Sequence, residues 1–272
     1  MRTEAIRGYG RHAALSGLEM SQALSRRART VRRLRRRARA TPRHQPGTIE
    51  LEGFRINYVD LMSVFMEYKD IFGQRIYHFD SEMPSPRVID GGGYIGMSLL
   101  YFKSVYPSAR VTTFEPDAQI FNVLERNVRD NNLSDVELVK AGLTAAAGTA
   151  SFSSDGADGG QITDVGSETV ETVPLSQWLE EPVDFLKLNI EGFELDVLRE
   201  AEDRLHNVRE TVIEYHGWPS GEQRLGPLLD LLDRNGFRYL VNHFDYETNG
   251  AVRPPFKVPG GTPWFALVHG RR

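Results

Sequence analysis

Cysteine is absent from the 272 residues. Its absence excludes a disulfide framework, a thiolate nucleophile and a Cys-based zinc site. No stretch approaches 18 consecutive apolar residues, so no transmembrane helix is expected. An apolar h-region near the start is also lacking, which argues against a secretory signal. Internal repeats are missing. Hydrophobic residues nevertheless make up 40% of the chain, enough for a sizeable core.

Lysine is missing from residues 1–47, which hold 13 Arg against Glu4 and Glu19, a charge of +11. The remainder carries 20 basic and 35 acidic residues, a charge of −15, so the formal net of −4 hides two unlike parts. Ala28, Val31, Leu34 and Ala38 sit at helical spacing in the arginine run, but that stripe is narrow. Single-sign charge runs usually stay unfolded, so 1–47 is expected to be a disordered arm and linker. As a functional element, the arm would contact nucleic acid, an anionic membrane or an acidic partner. Its composition also matches an organellar presequence.

The Pro- and Gly-containing stretch 41–47 marks a boundary. Residues 48–86 predict a small hairpin around Gly53, then a helix capped by Asp60 with Leu61, Val64, Phe65, Tyr68 and Ile71 on one face. From residue 87 strands and helices alternate to the end. Strands are expected near 87–91, 110–115, 136–140, 149–153, 169–173, 184–189, 210–216, 237–242 and 263–269. Helices are expected near 95–105, 117–130, 191–203 and from Ser220, where Gln223 completes a capping box. Such alternation predicts an α/β domain over 87–272, a mostly parallel sheet covered by helices on both faces.

Residues 87–96 read RVIDGGGYIG, and the next strand ends in FEPD. A strand, a glycine turn, a helix and a second strand ending in an acid form a nucleoside-binding unit. Gly91, Gly93 and Gly96 also satisfy G-x-G-x-x-G, so an NAD-linked dehydrogenase is formally open, as is a ligand-free glycine turn. Asp90 favours S-adenosylmethionine (SAM), because a carboxylate before the glycines would repel a pyrophosphate.

Farther on, VDFLKLNIEGFELDVLREA spans 183–201. Together with VIDGGGYIGMS and FEPD it resembles the FkbM-type methyltransferases, a family of class I SAM-dependent enzymes, over about residues 48–245. Lys187, Asn189, Glu191, Gly192 and Glu194 match the family's third block, with Asn189 where Asp is usual. Tyr94 stands where Asn is frequent. The resemblance implies a Rossmann-like fold with a seven-stranded sheet and an antiparallel last strand. It also implies SAM as cofactor, a cytoplasmic enzyme, and a hydroxyl acceptor on a sugar or polyketide-type natural product.

Ligands of open α/β sheets lie beyond the carboxyl ends of the strands. The expected cofactor contacts are therefore Asp90, Gly92, Gly93, Gly96, Glu115, Pro116, Ala141, Gly142 and Asn189, with Glu115 on the ribose hydroxyls and 141–142 along the adenine edge. Asp117 is read as a helix cap. Glu191 is either a first-turn acid facing the helix dipole or a ligand contact. With Asn at position 189, no magnesium site is expected. Methyl transfer to a hydroxyl needs an aligned acceptor and a base. His216, beside Glu214 at the end of its strand, is assigned that role, with Glu191 and Asn189 as further catalytic candidates and His243 as a rival. Trp218 and Trp264 could line an acceptor pocket. Amine or RNA methylation, and SAM binding without catalysis, remain the alternatives.

Overall fold

The computed structural model describes residues 17–154, 156, 160–163, 166, 168–217, 222–242 and 264–272, with backbone only over 17–24. Trp218, Ser220 and His243 lie outside the described residues.

The arginine-rich segment is the first departure from expectation. It forms helix α1, Gly17–Ala40, where a disordered arm was expected. Its narrow stripe suffices because it has a partner: Leu34 and Ala38 are each 2% exposed and join the core with Val31 packed against them. Arg27 pairs with Glu52 at 3.2 Å, while Arg29, Arg32, Arg33, Arg35, Arg36 and Arg39 remain exposed. Tertiary burial thus stabilises a helix whose charge density disfavours it in isolation.

Strands β1, Gly47–Leu51, and β2, Phe54–Tyr58, pair antiparallel as the expected hairpin. Helix α2, Leu61–Glu67, starts at Asp60, whose carboxylate accepts from the Ser63 amide at 3.1 Å. A π-helical turn, Tyr68–Gln74, extends it, and the five predicted apolar positions are all buried. The turn ends at Arg75 in the left-handed region.

The main sheet comprises β3, Arg87–Gly91, β4, Arg110–Phe114, and β5, Val136–Val139. It is completed by β10, Val183–Leu188, β11, Val208–Gly217, β12, Arg238–Asn242, and β13, Trp264–Arg271. Its order is β12-β13-β11-β10-β3-β4-β5, with β13 inserted antiparallel between β11 and β12. The remaining neighbours run parallel. The helices are α3, Met97–Val105, α4, Ala118–Asp130, α5, Glu194–Glu200, and α6, Leu225–Arg234.

Consecutive strand residues fall into two separate apolar clusters. Val88, Phe185, Val212 and Leu267 join one with α3 and α4, whereas Ile89, Leu186, Ile213 and Val268 join the other with α5 and α6. This period of two buries both faces, the layering expected of a parallel sheet. The seven strands and their order are those of a class I methyltransferase fold.

A second sheet was not foreseen. Strands β6, Gly142–Thr144, β7, Gly148–Ser153, β8, Gln161–Ile162, and β9, Glu168–Pro174, assemble in the order β6-β9-β7-β8. It brings Phe152 and Ile162 to the mouth of the main sheet.

Candidate active site

Strand order reverses between the parallel neighbours β3 and β10, the point at which open α/β sheets bind ligands. A cleft of about 460 Å³ lies there, floored by Gly92, Glu115, Pro116, Ala141, Gly142 and Asn189. Met66, Glu67, Asp70, Ile71 and Tyr77 bound it from the α2 region.

The glycine turn is built for close approach. Gly92 has φ +80°, and a Cβ there would overlap the carbonyl oxygen of Asn189. Gly92 and Gly93 donate to the Phe114 carbonyl at 3.1 and 2.8 Å, tying the turn to the end of β4. A Cβ on Gly93 would meet Thr113, and Gly96 caps α3 at φ +94°; neither lines the cleft. Both glycines shape the turn from behind.

Asp90 also lies behind the loop. It is 0% exposed, accepts from the Ser98 hydroxyl at 2.6 Å and sits 3.1 Å from the Lys187 ammonium. Lys187, 2% exposed, donates to the carbonyls of Gly91 and Gly92. The expected cofactor contact is therefore a support for the loop. Its partner Lys187 was visible in the sequence as a lone cation in the apolar run DFLKL, but its reach across to the glycines was not.

Glu115 stands at the end of β4, 7% exposed. Its two oxygens accept from the amides of Tyr94 and Asp117, each at 2.9 Å. Burial outweighs those bonds and pushes its pKa up to about 7. Asp117 is the expected cap, accepting from Gln119 and Ile120 amides at 2.8 and 3.1 Å. Asn189 lines the cleft, and its Oδ1 is buried without a hydrogen-bond partner. That orphaned acceptor, the cradle at Gly92 and the fixed carboxylate of Glu115 together fit a polar nucleoside ligand. Among the described residues no His, Asp or Glu cluster is arranged to hold a metal.

His216 departs most from expectation. Its Nδ1 lies 3.0 Å from Glu194 and its Nε2 3.4 Å from Glu191. Burial alone would lower its pKa, but hydrogen bonds to Glu191 and Glu194 and their charges hold it well above the imidazole value. Both ring nitrogens are thus engaged by carboxylates, an arrangement that favours the imidazolium over the free base expected of this residue. Glu191 likewise sits outside the helix. It has φ 55° in a loop that includes Gly192 at φ +104°, and α5 begins only at Glu194. The first-turn acid is Glu194, which also accepts from the Ile190 and Gly192 amides at 3.2 Å. The three residues form one clamp joining the β10 loop to β11.

Glu214, two positions before His216, lines the cleft at 8% exposed and accepts from the Tyr77 hydroxyl. Tyr77 comes from an irregular segment that carries no sequence pattern. Trp264 packs beside Tyr215 at 5.2 Å and does not line the cleft.

The model of the methyltransferase FkbM domain matches residues 90–239, more than half the chain. The protein is an FkbM-family methyltransferase. The family implies SAM as methyl donor. A methyltransferase of Sordaria araneosa, sdnD, is 30% identical to it over 69% of this chain and 88% of its own length. The AMB antimetabolite synthetase AmbE of Pseudomonas aeruginosa is 29% identical over 79% of this chain and 13% of its own. The FkbM methyltransferase structure from Methylobacillus flagellatus aligns at TM-score 0.47 with 17% identity, covering 77% of this chain and 54% of that one. No helix among the described residues of this FkbM methyltransferase is long and apolar enough to cross a membrane.

Proposed function

We propose that this FkbM methyltransferase binds SAM in the cleft between β3 and β10 and methylates a hydroxyl on a small organic molecule. The observation that carries the reading is Glu115, a buried carboxylate held by two backbone amides beside the Gly92 cradle. Its oxygens retain acceptor capacity for two ribose hydroxyls. Ala141 and Gly142 would lie along the adenine, with Pro116 beside them, and the unpaired Oδ1 of Asn189 would accept from the amino-acid end. When bound, SAM supplies a methyl carbon already activated by sulfonium, so the acceptor's lone pair forms the new bond as the carbon–sulfur pair returns to sulfur.

The chain's own work is then to align the acceptor, exclude water and receive a proton. Met66, Ile71 and Ile76 give the acceptor side an apolar wall. A sugar or polyketide-type acceptor is the class that the FkbM resemblance implies. A second reading, transfer to an amine, is supported by the acidic lining of Glu67, Asp70, Glu191 and Glu214. The same lining disfavours an RNA substrate, and the exposed arginines of α1 support contact with an anionic surface away from the chemistry.

Calorimetry with SAM, S-adenosylhomocysteine, NAD and NADP tests the cofactor, and labelled SAM with hydroxyl and amine panels tests the acceptor. Binding of SAM and S-adenosylhomocysteine alone is expected. Tight NAD binding without SAM binding would overturn the reading.

A further inference from the structure

With His216 held as a cation between two carboxylates, the cleft needs another group to receive the acceptor's proton. Lys187 is also a bound cation, tied to Asp90 and the glycine-loop carbonyls. Glu115 is engaged by backbone amides, and Asp117 caps α4. Asp70 accepts from Gln74 at 2.6 Å and pairs with Lys69 at 3.3 Å, while Glu191 pairs with His216. Glu214 differs from all of these. It is buried, it lines the cleft, and its hydrogen-bond donor is the neutral hydroxyl of Tyr77.

We propose that Glu214, oriented by Tyr77, is the catalytic base that takes the proton leaving the acceptor. The assignment rests on the methyl-transfer reading above. Tyr77 donates to Oε1 of Glu214, leaving Oε2 with acceptor capacity for an O–H or N–H. The bond from the acceptor heteroatom to hydrogen breaks, its electron pair stays on the heteroatom, and the proton converts the Glu214 carboxylate to the neutral acid. Water takes that proton up when product leaves. Tyr77 is a positioning residue: 3% exposed, it packs with Lys187 Nζ 5.5 Å from its ring centre.

The surroundings suit a base of this kind. The charges facing Glu214 are Lys187 from β10, His216 from its own strand and Glu191 from the loop, with Asp90 and Glu67 acting on Tyr77. Burial raises the Glu214 pKa above the usual carboxylate range, while the Tyr77 bond, Lys187 and His216 pull it partly back. A buried carboxylate is thereby a stronger proton acceptor than a solvated one, and it becomes ionised only at higher pH than a solvated one.

The test uses the full chain and its Glu214→Gln, Glu214→Asp and Tyr77→Phe variants. Methyl-labelled SAM is offered with phenol, cyclohexanol, methyl glucoside and benzylamine, and SAM affinity is measured by calorimetry alongside. For a probe that accepts label, turnover is expected to rise with pH through a pKa above that of a solvated carboxylate. Glu214→Gln should lower turnover by about 10²–10⁴-fold with SAM affinity retained, and Glu214→Asp should recover part of it. Tyr77→Phe should move the limb to higher pH, a shift that mere structural support would not produce. Carboxyl infrared titration of the ligand-free protein should lose one high-titrating band in Glu214→Gln, while the Glu115 band remains. Parental rate and pH profile in Glu214→Gln would overturn the assignment while leaving methyl transfer intact. Failure of the parent to label any probe despite binding SAM would overturn the acceptor reading and this assignment with it.

Discussion

Lys187 and Asp90 face each other on adjacent parallel strands, in register, with 3.1 Å between ammonium and carboxylate. Neither is exposed by more than 2%. The pair does more than neutralise itself, because the ammonium also satisfies the Gly91 and Gly92 carbonyls. Lys187→Met should therefore leave the buried Asp90 charge without its cation and strip a donor from the Gly92 carbonyl, destabilising the fold by about 3–5 kcal/mol. Denaturant unfolding measures this. The double variant with Asp90→Asn should recover part of the loss.

Gly92→Ala should abolish SAM binding. The residue is held at φ +80° and its Cβ would overlap the Asn189 carbonyl, so the turn must shift from the cleft floor. Calorimetry checks affinity and circular dichroism checks folding. Retained affinity would remove the turn from the site.

Glu115 makes stability and binding depend on pH in opposite directions. Its folded pKa is about 7 against 4.5 for an ordinary glutamate, so between these values the folded state holds a proton that the unfolded state has lost. The ligand-free protein should lose about 3 kcal/mol of stability from this group as pH rises across that window. SAM affinity should instead rise up to about pH 7 and then level, because the ribose hydroxyls need the carboxylate form. Glu115→Gln should flatten both profiles, as read by thermal unfolding and calorimetry over pH.

His216 should give stability the same pH direction as Glu115, here as a stabilising cation. Its folded pKa lies well above 6.5, so the contribution is fully present below the unfolded pKa and is lost as pH rises through the folded one. His216→Gln should destabilise the chain by about 3–5 kcal/mol at low pH, since it leaves Glu191 and Glu194 without their cation. The difference from the parent should shrink in alkaline buffer. An imidazole proton resonance that titrates near 6.5 would show that the clamp is not formed.

Helix α1 should be part of the cooperative fold. Leu34→Ala removes a 2% exposed side chain and should cost about 2–5 kcal/mol. Arg36→Gln, on an exposed position of the same helix, should change stability by less than about 0.5 kcal/mol. Urea unfolding of the two variants distinguishes a docked helix from a loose one.

What the sequence determined by itself was set by local rules. Alternating apolar runs and helical periods marked the strands and helices of the main sheet. The Asp60 and Asp117 caps each satisfy amides within three residues in sequence. The glycine turn and Glu115 could be placed because a strand end, a tight turn and an acid lie within one short unit.

Tertiary structure decided the charges. Whether His216 is a base or a cation depends on Glu191, from the loop after β10, and Glu194, at the start of α5. Tyr77 and Glu214 meet across 137 positions of chain, where no periodicity connects them. The stripe of α1 was legible as too narrow to fold alone, and only the surface beneath Leu34 and Ala38 made it a helix. A pKa or a docked helix is fixed by the partners that folding brings within a few ångströms, and the spacing of residues along the chain does not encode that proximity.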